Sequence, residues 1–233
     1  MAERMFYDGM DNNRVAFSLG QVSRYLRFLE IPRSRYRSLN EEVVAGFRRQ
    51  MAEAASNPGM RELTASEVAE LDSDVQRQVF LHFEIESFFL FAKIFLDKVA
   101  RFVQDFFGGA RGLSLRSHDN WCSDADAYAR AKGLVIPSGM LDTMQRLRSL
   151  VADYRDKQIA HLQNPRAMHG TQIRGDGSTQ IAGSALFPTA RDKQVMSPEI
   201  DEVWKLIETY VEQLIAMVET NRDKTRYKLA AGG

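Results

Sequence analysis

Phe80-Leu81-His82-Phe83-Glu84-Ile85-Glu86-Ser87-Phe88-Phe89-Leu90-Phe91-Ala92-Lys93-Ile94-Phe95 is the aromatic centre of a run, Val68 to Phe107, that contains neither Pro nor Gly. Nine of the fourteen phenylalanines lie between Phe80 and Phe107. Helical spacing places Phe80, Phe88, Phe91, Phe95, Val99, Phe102 and Phe106 on one face, and Leu81, Ile85, Phe89, Ala92 and Leu96 on the next. An apolar arc this wide needs neighbours on several sides, which predicts the central helix of an all-α bundle. At about 1.5 Å per residue, forty such residues would run ~60 Å, so a break or a protruding end is expected.

Upstream, Ser56-Asn57-Pro58-Gly59 has turn chemistry, and Thr64-Ala65-Ser66-Glu67 has capping-box spacing, which starts the long helix there. Residues 1–60 read as N-terminal helices. In the first, Val15, Leu19, Val22, Leu26 and Leu29 share a face. Ile31-Pro32 is expected to end it, because the residue before proline is pushed out of the α region. Asn40 then caps a second helix with Val43, Phe47 and Met51 on a narrower stripe. Arg24, Arg27, Arg33, Arg35, Arg37, Arg48 and Arg49 outnumber Glu30, Glu41 and Glu42, the one clear local excess of positive charge.

Downstream, Gly108-Gly109 stops the aromatic helix. Residues 108–136 read as a polar insert in which Ser123 caps a short helix, Asp124 to Lys132. Pro137-Ser138 opens a helix with Leu141, Met144, Leu147, Val151 and Tyr154 in register, running to about Gln163 before Pro165. Thr171-Gln172-Ile173 and Thr179-Gln180-Ile181 flank Arg174-Gly175-Asp176-Gly177-Ser178, which predicts a small β-hairpin appendage within residues 168–195. Ser197-Pro198-Glu199 is a strong helix start for the stripe Ile200, Val203, Ile207, Tyr210, Val211, Leu214, Met217 and Val218. Asn221 onward reads as a charged tail, flexible over 223–233. The expectation is one domain, with residues 64–222 as its core.

Composition agrees with an ordinary globular chain: 233 residues, 44% apolar and 27% charged. Thirty-one basic residues balance thirty-one acidic ones, so nucleic acid would have to be met by a local patch. The lone Cys122 excludes a disulfide framework and a Cys-rich zinc site. The start, Met1-Ala2-Glu3-Arg4-Met5, lacks the apolar core of a secretory signal, and no apolar run suits a membrane span. A soluble, cytoplasmic protein is expected.

The chemistry sits in Tyr154-Arg155-Asp156-Lys157-Gln158-Ile159-Ala160-His161. An arginine followed by Asp, then a histidine after five intervening residues at a helix end, resembles the Arg-x(4–6)-His signature of the HEPN superfamily. That resemblance implies an antiparallel helical bundle, a homodimer whose two motifs meet across a cleft, and metal-independent cleavage of RNA without a cofactor. A toxin or phage-defence role, with an antitoxin or a nucleotidyltransferase as possible partner, is also implied by it. A ribose 2′-OH can attack its own phosphodiester once protons are managed and charge on the phosphoryl oxygens is stabilised. His161 suits acid or base work near neutrality, and Arg155 offers a planar fork to phosphate. Asp156 would orient either, and Lys157 or Tyr154 would add a phosphate contact. Six residues of ideal helix turn His161 about 120° from Arg155 and raise it ~9 Å, so either the last turn loosens or a twofold copy completes the pair.

Glu84 falls on the phenylalanine face, where an unpaired carboxylate is expensive, so it should support the site through a buried partner, named here as Arg155 or another motif residue. Arg35 and Arg37 are candidate RNA-backbone contacts, with Tyr25 and Tyr36 placed to stack on bases, although such arginines more commonly form a solvated face. His161 with His169 matches no common ligand spacing, and His118 with Cys122 is an equally weak pair, so no metal is expected. His82 reads as a satisfied core or interface side chain. Gly108-Gly109-Ala110-Arg111-Gly112 follows a helix, the wrong context for a phosphate loop. The alternative to a nuclease is a non-catalytic HEPN-like protein that binds a nucleotide or serves as a scaffold.

Overall fold

Thr64 and Glu67 close the cap that starts the aromatic helix. The Thr64 N–H donates to Glu67 Oε2 at 2.7 Å, and the Glu67 N–H returns to Thr64 Oγ1 at 3.4 Å. The computed structural model describes residues 10–56, 62–152, 166–173, 179–187 and 200–225. Within these, α2 spans Ala65–Phe107 as one helix, so of the expected break or protruding end there is no break, and it stops at Gly108, whose φ of 81° suits glycine. The inner faces of α2 lie where periodicity put them, with Leu81, Ile85, Phe88, Phe89, Phe95, Leu96 and Val99 buried. Phe80 departs from that pattern and is 56% exposed.

The N-terminal segment corrects two expectations. α1 runs Met10–Ser56 as a single helix with Pro32 inside it. A proline there removes one N–H from the ladder and crowds the carbonyl of Phe28, costing about 3 kcal/mol. Pro32, Leu29 and Val43 are all buried, so packing on both sides of the proline outweighs the local preference to stop. Asn40 therefore caps nothing; it lies mid-helix, its buried Oδ1 without a hydrogen-bond partner among the described residues.

The segment read as a polar insert contributes one face to the interior. α3 spans His118–Lys132, starting six residues earlier than expected, because Ser117 is the cap and accepts from the Asn120 N–H at 3.2 Å. Ser123 lies inside the helix, its hydroxyl donating to the Asp119 carbonyl at 3.0 Å. Leu115, Trp121 and Tyr128 are fully buried, with the Tyr128 hydroxyl donating to the Gly108 carbonyl at 2.6 Å. α4, Met140–Leu147, begins after Gly139 and widens into a π turn over Arg148–Ala152. β1, Arg166–Ile173, pairs antiparallel with β2, Thr179–Phe187, from Ile173 opposite Thr179 to Arg166 opposite Phe187. Both are longer than the sequence suggested, and residues 174–178 lie outside the described residues.

α5, Ile200–Thr220, buries Ile200, Val203, Ile207, Tyr210, Leu214 and Met217. Asn221, expected to begin a tail, is 1% exposed. Its side-chain amide accepts from the Val135 N–H at 2.7 Å and donates to the carbonyls of Val135 and Met217 at 2.8 and 2.7 Å. Arg222–Lys224 add one tight turn, and the Thr225 hydroxyl donates to the Phe106 carbonyl at 3.1 Å. No described helix is long and apolar enough to cross a membrane.

Two compact units result, one of Met1–Leu29, Leu90–Asp153 and Asp201–Gly233, the other of Glu30–Phe89 and Tyr154–Ile200. In the first, Tyr25 and Phe28 pack on Phe91, and the Trp121 indole donates to the Tyr210 hydroxyl at 3.1 Å. In the second, α1 and α2 run antiparallel with ion pairs along their seam: Arg35 with Glu84, Glu42 with Arg77, and Arg49 with Glu70 and Asp74. Buried Asp74 also accepts from Gln50 and Arg77 at 2.8 and 2.7 Å. Gly46 is the residue that lets this carboxylate close in, since a Cβ there would meet it at 2.9 Å.

Candidate functional site

Tyr154, Arg155, Asp156, Lys157 and His161 lie outside the described residues, as does the helix end expected around them. α4 and its π turn lead up to them, ending at Ala152. Glu84 is buried as anticipated, at 6% exposure, but its partner among the described residues is Arg35, with Nη1 3.5 Å from Oε1. α1 thus supplies the cation that the sequence argument sought in the motif, because α1 and α2 pair along their polar seam. Arg35 and Arg49 both answer carboxylates of α2, and exposed Arg37 also makes an interaction of its own. Tyr25 packs against Phe28 and Phe91 with Lys98 over its ring at 5.9 Å, so it is a packing residue more than a stacking platform.

His118 and Cys122 do come together. One turn apart on α3, they place Cys122 Sγ 3.5 Å from His118 Nδ1 and 3.8 Å from Nε2. A charged cluster surrounds them. Lys93, 5% exposed, reaches Asp119 at 2.8 Å and Asp97 at 3.1 Å, while Arg148 Nε reaches Asp119 Oδ1 at 3.2 Å. The His118 backbone N–H donates to Asp97 Oδ1 at 2.8 Å, and the Tyr210 ring meets the imidazole edge-on at 5.7 Å.

The electrostatics of this cluster decide its chemistry. Burial, reinforced by Lys93 and Arg148 and opposed by Asp119, pushes His118 down to about 3. Burial likewise pushes the Cys122 thiol up to about 12. Burial raises Asp119, but the Lys93 hydrogen bond and the Lys93 and Arg148 charges overcome it and leave the carboxyl below its usual range. A neutral imidazole beside a protonated thiol is neither an acid–base pair nor an activated nucleophile at neutral pH. The cluster joins α2, α3 and the π turn through Lys93, Asp119 and Arg148. Among the described residues, no group of three or more His, Cys, Asp and Glu could hold a metal ion.

A second feature of the same unit was missed in the sequence. Arg14, Ser18 and Gln21 on α1 face Lys98, Arg101 and Asp105 on α2 across a cavity of about 250 Å³. An adjoining cavity of about 520 Å³ adds Gln104 and Arg116. The Ser18 hydroxyl donates to Asp105 and ties the two helices together at this place. Four cations thus share one groove with one carboxylate. Lys98 and Arg101, three apart on α2, were the legible half of this signal; Arg14 and Arg116 are too distant in sequence to announce it.

No family model matches the chain, and no curated protein or solved structure is significantly similar to it.

Proposed function

We propose that this protein is a metal-independent endoribonuclease of HEPN type, built as a helical bundle with a β-hairpin appendage and acting as a cytoplasmic homodimer. The observation that carries the proposal is the sequence Tyr154-Arg155-Asp156-Lys157-Gln158-Ile159-Ala160-His161 in a chain whose described residues are mostly helical. Two features support it. The helix leading toward the motif widens into a π turn at Arg148–Ala152, and such turns recur at functional sites. A basic groove in the first unit supplies the local patch that a chain of zero net charge needs to meet RNA.

In this mechanism the ribose 2′-oxygen forms a bond to the adjacent phosphorus while the bond to the 5′-oxygen breaks. One His161 takes the 2′ proton or gives a proton to the departing 5′-oxygen, with the twofold copy available for the other transfer. Arg155 binds the phosphoryl oxygens as charge accumulates, Asp156 orients the pair, and Lys157 and Tyr154 add contacts to the backbone. The products are a 2′,3′-cyclic phosphate and a 5′-hydroxyl. An antitoxin or nucleotidyltransferase partner would fit a toxin or phage-defence role.

Purified protein should cut transfer RNA or a structured messenger in excess EDTA and leave 2′,3′-cyclic phosphate ends. Arg155→Ala and His161→Ala should each abolish cutting. If nothing is cut, or both variants cut as well as the parent, the nuclease proposal falls and a non-catalytic binding or scaffold role takes its place.

A further inference from the structure

In the second unit Arg35, Arg49 and Arg77 are matched to carboxylates across the α1–α2 seam. The groove of the first unit is built differently. Among the described residues no ion pair engages Arg14, Arg101 or Arg116, and all three are exposed. Asp105, the carboxylate that shares the groove, already accepts from Ser18. Cations gathered on one concave surface repel one another, and an incoming polyanion relieves that repulsion. At its rim stands Phe17, 68% exposed, a turn of helix from Arg14 and next in sequence to Ser18. An apolar ring held in water beside a cationic groove has an energetic use if a flat, apolar face can lie on it. Cationic groove and exposed aromatic together are the recurrent means of holding single-stranded nucleic acid, the cations on the backbone and the ring under a base.

We infer that the groove of Arg14, Lys98, Arg101 and Arg116 binds single-stranded RNA, with Phe17 stacking on a base. The inference rests on the proposal that RNA is this protein's substrate and assigns a place where the strand is held. Gln21 and Gln104, also lining the groove, offer neutral donors and acceptors to ribose and base edges. The groove reads no sequence by itself, since its charged groups address phosphates.

The test is anisotropy of the full chain with a fluorescein-labelled, 2′-O-methyl single-stranded oligonucleotide, whose blocked 2′-oxygens prevent cutting. Four phosphate contacts on a single strand give a salt slope of about −2.8, or roughly 50-fold weaker binding between 50 and 200 mM salt. Removing two contacts with Arg14→Ala and Arg101→Ala should weaken binding at low salt and halve the slope, to roughly a 7-fold loss over the same range. Phe17→Ala should weaken binding by roughly 5- to 150-fold with the slope unchanged. Arg130→Ala, on α3 outside the groove, should change neither. All four positions are exposed, and circular dichroism melts establish that the variants fold. If the parent binds while the groove variants match it in affinity and slope, the groove assignment is overturned and the RNA proposal stands. If the parent binds no RNA, both fall. If polyglutamate of equal charge binds as tightly and Phe17→Ala has no effect, the groove takes acidic protein, and the RNA assignment is overturned.

Discussion

His118 offers the most quantitative test of the interior. It is 1% exposed, packed on Tyr210 and Cys122, with Lys93, Asp119 and Arg148 as its charged neighbours. Asp119 does not capture a proton for it, because its carboxylate already receives Lys93 and Arg148. In the folded chain the imidazole therefore stays neutral down to about pH 3. In the unfolded chain it binds a proton below its ordinary value of about 6.5, so falling pH favours unfolding between those two limits. At about 1.36 kcal/mol per unit, the loss between pH 7 and pH 5 is about 2 kcal/mol, above the range where carboxylates titrate strongly. Urea unfolding, followed by tryptophan fluorescence at pH 7, 6 and 5, reads it directly in the parent and in His118→Gln. The stability difference between the two should shrink by about 2 kcal/mol over that span. A difference that stays constant would mean that His118 titrates alike in both states, and one that grows as pH falls would mean that the protein holds a buried imidazolium against Asp119. Either result refutes the argument.

Asn221→Ala removes all partners that Asn221 gives Val135 and should cost about 2–3 kcal/mol, seen as a lower urea midpoint with unchanged slope. Pro32→Ala restores a helix hydrogen bond worth part of the ~3 kcal/mol proline penalty while losing two buried methylenes at ~0.8 each, so a net gain of about 1 kcal/mol is expected on urea unfolding. Gly46→Ala should destabilise by about 1–2 kcal/mol, because the new Cβ displaces the Asp74 carboxylate from Arg49, Gln50 and Arg77. In an Asp74→Ala background the same change should stabilise by up to ~1 kcal/mol through helix propensity; additivity across this double-mutant cycle would show that the two positions do not meet.

What was legible in the sequence was local. The Thr64–Glu67 cap depends on atoms three residues apart, so its pattern and its geometry agree, as do the glycine that ends α2 and the stripe of α5. Pro32 shows the limit of that logic. Its local cost is real, but burial of Leu29, Pro32 and Val43 lies outside any local window, and the helix continues. The 108–136 segment misled for a related reason. Its many charges, Asp119, Asp124 and Asp126 among them, hide an interior stripe of Trp121, Ala125 and Tyr128 at helical spacing. Ser117 and Ser123 both satisfy the capping rule; the choice falls on Ser117 because a helix started there brings His118, Trp121 and Cys122 into the core.

Charge shows the same contrast at the scale of function. A net charge of zero and an arginine-rich N-terminal segment directed attention to Arg35 and Arg37. Those cations belong to a region where α2 presents Glu70, Asp74 and Glu84, and pairing in the fold consumes part of the visible excess. Arg14, Arg101 and Arg116 attract no notice in sequence, since each stands among ordinary helical or connecting residues. They become a cationic surface only when α1, α2 and the connection before α3 meet, with Ser18 holding Asp105 at the junction. An isolated excess of arginine is thus a poor guide to a nucleic-acid surface. What identifies one is a cation whose carboxylate partner the fold has left elsewhere, and the salt slope of Arg14→Ala with Arg101→Ala measures that quantity.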